Sequence, residues 1–98
     1  MNDIEIKKLH ARLDIFVKEQ NEKWKSFVYA KENGFYQGFD EIHVKGCRST
    51  EKRFKNYDIE EYLSKKSRAL DIGCNCGFFT IFTSRFVKDI TGVEINPY

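Results

Sequence analysis

The run from Arg68 to Glu94 constrains this chain more than any other. It holds a strand pattern, a turn bracketed by two glycines, an aromatic helical pattern and a second strand pattern. Arg68-Ala-Leu-Asp-Ile-Gly73 reads as a strand that stops at a glycine. Phe78, Phe79, Phe82 and Phe86 recur at helical spacing within residues 77–87. After Val87 and Lys88, Ile90-Thr-Gly-Val-Glu94 reads as a second strand. Strand, helix, strand in this order is by default a right-handed βαβ unit with a parallel strand pair.

Such a unit offers a ligand site where the first strand ends. The next helix presents unpaired N–H groups there, and glycines let backbone approach a ligand closely. Gly73-Cys74-Asn75-Cys76-Gly77 meets that need. An acidic residue about twenty positions on, at the tip of the next strand, can accept both ribose hydroxyls. Glu94 stands 21 residues after Gly73 and 17 after Gly77. The dinucleotide fingerprint Gly-x-Gly-x-x-Gly is not met, because its second glycine falls at Asn75 and its third at Phe78. That second glycine makes room for a pyrophosphate, so a phosphate-free nucleoside cofactor suits this turn better.

Leu70-Asp71-Ile72-Gly73-Cys74-Asn75-Cys76-Gly77-Phe78-Phe79-Thr80 resembles the first motif of the class I S-adenosylmethionine-dependent methyltransferases. The resemblance covers about residues 66–98. It implies that the turn wraps the methionine part of the cofactor. Asp71 would organise the turn and the bound amino group, and Gly73 and Gly77 would bring backbone against the cofactor. Glu94 would hold the ribose, Ile95 would pack on adenine, and Phe78 would complete the binding set. Asn75 stands where many members carry glycine. It either tolerates the same backbone conformation, as Asn does better than most residues, or contacts the cofactor carboxylate.

The fold class expected is α/β: N-terminal helices followed by the first βαβ unit of a Rossmann-like methyltransferase sheet, incomplete. Residues 1–65 are expected to form an N-terminal helical cap with short strands, and 66–98 the truncated start of the cofactor domain. The resemblance implies a seven-stranded sheet, so the chain reads as an N-terminal fragment, inactive by itself. Its complete form would methylate an unknown acceptor, whether small molecule, RNA or protein, and no catalytic residue can be assigned. A non-catalytic binding module on a Rossmann-like half-domain is the alternative. Two parallel strands leave raw edges and uncovered faces, so the truncated chain is expected to self-associate.

Upstream, Ile6, Leu9, Leu13, Phe16, Val17 and Trp24 recur at three- and four-residue steps and predict an amphipathic helix. Asn2 or Asp3 can cap it, with Glu5 placed as in a capping box. His10 falls on its polar side. Phe27-Val28-Tyr29 suggests a short strand, and Asn33-Gly34 and Gln37-Gly38 suggest turns. Ile42 and Val44 alternate with His43 and Lys45, predicting an extended segment that Gly46 ends. Residues 48–56 look like a loop entering a short basic helix. Asp58, with Glu61 three residues on, is placed to cap a second helix bearing Ile59, Tyr62 and Leu63.

The charge balance is close to neutral, at +2, and does not demand a nucleic-acid partner. Aromatics reach 15%, which argues against a disordered chain. No apolar run is long enough to span a bilayer and the N-terminus has no apolar signal core, so a cytoplasmic protein without membrane contact is expected. Three cysteines, Cys47, Cys74 and Cys76, make no disulfide framework. With His43 they could supply four metal ligands on paper, but the two-plus-two spacing is absent and no metal is expected. Lys45, Arg48, Lys52, Arg53 and Lys55, interleaved with Phe54 and Tyr57, read as a solvated helix face or as a contact for RNA phosphates or an acidic substrate. Arg48 and Arg53 are the residues to grip an anion. Trp24, Phe27, Tyr29, Phe35, Tyr36 and Phe39 read as core, with a stacking platform as the alternative.

Overall fold

The structure, a computed structural model, describes residues 1–24, 30–31 and 34–95. The expected strand Phe27-Val28-Tyr29, Asn33 of the first turn signal and the side chain of Trp24 lie outside the described residues. The chain is mixed α/β, with helices packed on short strands.

Helix α1 spans Asp3–Trp24. Asn2 is its cap: Glu5 N donates to Asn2 Oδ1 at 2.8 Å, and Asn2 N donates back to Glu5 Oε2 at 3.3 Å. This reciprocal pair satisfies two N–H groups that a helix start leaves without partners. Leu13, Phe16 and Val17 bring the apolar face onto the core, where Phe16 stacks on Phe35 with ring centroids 6.3 Å apart. His10 is half-buried, and Ile42 O lies 2.6 Å from its Nε2. The polar side of α1 therefore also docks on the domain.

Strands β1 (Ala30–Lys31), β2 (Gly34–Gly38) and β3 (Gly46–Ser49) form one sheet. β1 runs antiparallel to β2, and β3 runs parallel to β2 in the register Phe35↔Gly46, Gln37↔Arg48, Gly38↔Ser49. Parallel neighbours ordinarily need a crossover of about a dozen residues or more. Here residues 39–45 suffice, because they coil into a 3-10 turn at Asp40–Ile42 that His43 closes in the left-handed conformation, φ 57°. Phe39 and Val44 bridge its base. Both carboxylate oxygens of Glu51 accept from this turn, from Asp40 N at 3.0 Å and Glu41 N at 2.9 Å.

Three expectations are corrected in this region. Ile42 lies in the 3-10 turn rather than in an extended segment, and Gly46 begins a strand instead of ending one. A Cβ at Gly46 would stand 2.3 Å from Gly38 N, so the close approach of β2 and β3 requires glycine there. Gln37-Gly38 is likewise strand, not turn.

Helix α2 spans Thr50–Tyr57, capped by Ser49, whose side chain accepts from Lys52 N. Asp58 closes this helix in the left-handed conformation, φ 54°, its N–H donating to Lys55 O at 3.2 Å. The expectation that Asp58 starts a second helix is thereby corrected. The chain beyond it makes a single 3-10 turn at Glu60–Tyr62, because the left-handed residue has already reversed its direction.

Strands β4 (Arg68–Ile72) and β5 (Asp89–Val93) pair in parallel from Arg68↔Asp89 to Ile72↔Val93, with helix α3 (Phe78–Thr83) between them in sequence. α3 is shorter than the aromatic spacing predicts. Phe86 lies beyond it yet still stacks on Phe54 at 4.8 Å. Phe78 joins Phe35, Phe39 and Val44 in one buried cluster, while Phe54 of α2 packs against Phe79, Phe82 and Phe86. The segments before and after residue 65 thus share a core. The other face of the β4–β5 pair is bare, with Leu70 60%, Ile72 78% and Val93 43% exposed. Among the described residues no helix is long and apolar enough to cross a membrane.

Candidate cofactor-binding turn

The turn after β4 is tied to the end of β5. Gly73 N and Cys74 N both donate to Val93 O, at 2.8 and 3.0 Å, and Gly77 N donates to Cys74 O at 3.0 Å. Three residues adopt positive φ: Gly73 at 71°, Asn75 at 55° and Gly77 at 89°. Glycine carries no steric penalty in that region, and Asn carries less than most residues. A Cβ built on Gly73 or Gly77 would meet no atom within 4 Å. The glycines therefore serve backbone conformation, and the space beside them is open.

Two carboxylates flank this turn. Asp71 Oδ2 accepts from Thr80 Oγ1 at 2.7 Å, and Glu94 Oε1 accepts from Asn75 N at 2.9 Å. Both are half-buried. Their field is felt by Cys74: burial first, then the charges of Asp71 and Glu94, push its thiol above the ordinary range. Cys76 is more enclosed, and burial pushes its thiol up to about 11. Gly92 lets the turn and α3 lie close on β5. A Cβ there would stand 2.8 Å from Thr80 Oγ1 and 3.0 Å from Cys74 Sγ.

The structure brings Asp71, Gly73, Asn75, Gly77 and Glu94 together around one turn. Ile95 follows Glu94 and is 98% exposed. The ring of Phe78 faces inward, against Phe35 and Phe39. Its N–H donates to Gln37 Oε1 at 3.2 Å. Asn96 lies outside the described residues.

Gln37 belongs to this site, although its sequence context does not reveal it. The side chain is 3% exposed and reaches from β2 into the turn. Besides Phe78 N, its Oε1 accepts from Cys76 Sγ at 3.4 Å, and its Nε2 donates to Cys74 O at 3.3 Å. A polar residue between Tyr36 and Gly38 is the only available signal, and it reads equally as a turn.

Of the basic stretch, Lys45, Lys52 and Lys55 are exposed. Arg48 and Arg53 converge on Tyr57: Arg48 Nη2 donates to Tyr57 Oη at 3.0 Å and Arg53 Nε at 3.3 Å. Arg48 Nη1 also donates to Tyr36 Oη at 3.3 Å. All three cysteines are free thiols, and no group among the described residues could hold a metal ion.

Compared with protein-family models, curated proteins and solved structures, the chain matches none.

Proposed function

We propose that Gly73–Gly77 is an S-adenosylmethionine-binding turn and that the chain is the cofactor-holding N-terminal part of a class I methyltransferase with a Rossmann-like sheet. The single observation that carries this reading is the charge of the open turn. Asp71 and Glu94 flank it on either side, and their charges add to burial in pushing the Cys74 thiol up. A pyrophosphate brought here would be repelled. S-adenosylmethionine carries a sulfonium and an ammonium group and no phosphate, so the same field favours it. Glu94 sits at the end of β5, where an acceptor for ribose hydroxyls belongs, and a carboxylate has room for more than one donor.

Each residue then has a stated task. Gly73 and Gly77 hold the backbone open beside the amino-acid moiety. Asp71, anchored by Thr80, faces the ammonium. Glu94 accepts the ribose hydroxyls, and Ile95 covers adenine. Methyl transfer is an in-line displacement that depends on such positioning.

Amide NMR of this chain, titrated with S-adenosylmethionine and separately with oxidised NAD, tests the reading. Weak, millimolar binding of S-adenosylmethionine is expected, with shifts concentrated at Gly73, Gly77 and Glu94. No shift there, or equal shifts with NAD, would overturn it.

A further inference from the structure

Arg48 and Arg53 are two cations sharing one phenol oxygen. Tyr57 Oη accepts from both, so both its lone pairs are engaged, and its own proton finds no acceptor among the described residues. Neither guanidinium has a carboxylate partner among the described residues, where the ion pairs are Arg68–Asp89 and Arg85–Glu41. Arg53 Nη1 is enclosed and unpartnered. Its guanidinium lies over the rings of Phe79, at 5.0 Å, and Tyr57, at 5.6 Å, which fix its plane. Arg48 is held by two phenols, those of Tyr36 and Tyr57. Two positive charges without carboxylate partners and a hydroxyl proton without an acceptor, among the described residues, thus meet at one point.

This point adjoins the turn. Phe79, which carries Arg53 and touches the Tyr57 ring at 5.8 Å, is the second residue of α3. Arg48 is the register partner of Gln37, the residue that pins Cys74, Cys76 and Phe78. The anion-gripping residues therefore stand on the strand pair and against the helix that also hold the proposed cofactor turn.

We propose that Arg48, Arg53 and Tyr57 bind a phosphate monoester group, and that this group belongs to the methyl acceptor. The two charges match a phosphate dianion, whose three oxygens can bridge two guanidiniums and a hydroxyl, whereas a carboxylate or a phosphodiester leaves one charge unmatched. The assignment to the acceptor rests on the cofactor reading above; the anion site stands on its own geometry.

Arginine side-chain NMR of the whole chain at pH 8 and constant ionic strength tests it, with inorganic phosphate and phenyl phosphate as probes. Saturable shifts at Arg48 and Arg53 Nε–H are expected, with acetate and dimethyl phosphate giving none that saturate. Arg48→Gln and Tyr57→Phe, the latter keeping the ring on Phe79, are each expected to weaken phosphate binding about tenfold. Absence of saturation, equal binding of acetate or dimethyl phosphate, or binding of a single-stranded oligonucleotide without binding of phosphate would each overturn the site. Shifts at Gly73 and Gly77 with S-adenosylmethionine read the cofactor separately. Phosphate binding without them overturns the assignment to an acceptor, and those shifts without phosphate binding overturn the anion site alone.

Discussion

Gln37 Oε1 accepts the Phe78 N–H at 3.2 Å, joining the start of α3 to a strand 41 residues upstream. The same amide serves Cys74 O and Cys76 Sγ, so one buried side chain satisfies three polar groups of the turn. Gln37→Leu removes all three bonds and leaves the Phe78 N–H buried without its partner, while Cys74 O keeps the Gly77 N–H. A loss of about 1–3 kcal/mol is expected, the cost of one buried group left unsatisfied. Urea unfolding checks this through the midpoint, with the slope unchanged.

Gly92→Ala places a methyl group against Thr80 Oγ1 and Cys74 Sγ. Thr80 cannot swing aside without giving up Asp71. A cost of about 1–3 kcal/mol, typical of overpacking, is expected in thermal or urea unfolding. Wild-type stability in this variant would show that the turn has slack.

The charge of the turn has a direct readout in Cys74. Burial raises its thiol most, and the carboxylates of Asp71 and Glu94 raise it further. Glu94→Gln removes one of those two charges, so the Cys74 ionisation is expected to move to lower pH. The pH dependence of its alkylation rate, mapped by mass spectrometry, measures this. An unmoved profile would remove the electrostatic basis for a cationic cofactor.

Cys76 is expected to make stability fall in alkali. Burial holds its folded thiol at about 11, whereas an unfolded thiol ionises at about 8.5. The folded state therefore binds the extra proton in that window. The contribution is fully present below the unfolded value and is lost as pH rises toward the folded one, by an amount on the order of 3 kcal/mol. Cys76→Ser, which retains a donor for Gln37, is expected to flatten the decline, as read from urea midpoints across that alkaline window.

Leu70, Ile72 and Val93 leave one face of the parallel pair in water. Parallel strands are ordinarily covered on both faces, and a second copy of the chain would supply the cover. Sedimentation at rising concentration is expected to show larger species, reduced in Ile72→Lys. A monomer at every concentration would sink this expectation.

What the sequence determined by itself is local. Asn2 and Glu5 cap α1 because a helix start has the same unmet N–H groups wherever it lies. The places of Gly73, Asn75 and Gly77 in the turn and of Glu94 at the tip of β5 are local as well, because a parallel strand pair joined by a helix fixes where its turn and second tip fall. Tertiary structure decided the rest. Gly46 opens a strand because Gly38 passes beside it, a contact that no turn rule contains. Asp58 ends a helix where its spacing to Glu61 suggested a beginning, since the same residue type caps either end and neighbouring geometry chooses. The turn from Gly73 to Gly77 owes its partner Gln37 to packing between β2 and α3. A hydrogen bond spanning 41 residues leaves no periodicity in a sequence, because its two ends are brought together only by the packed core of Phe35, Phe39 and Phe78.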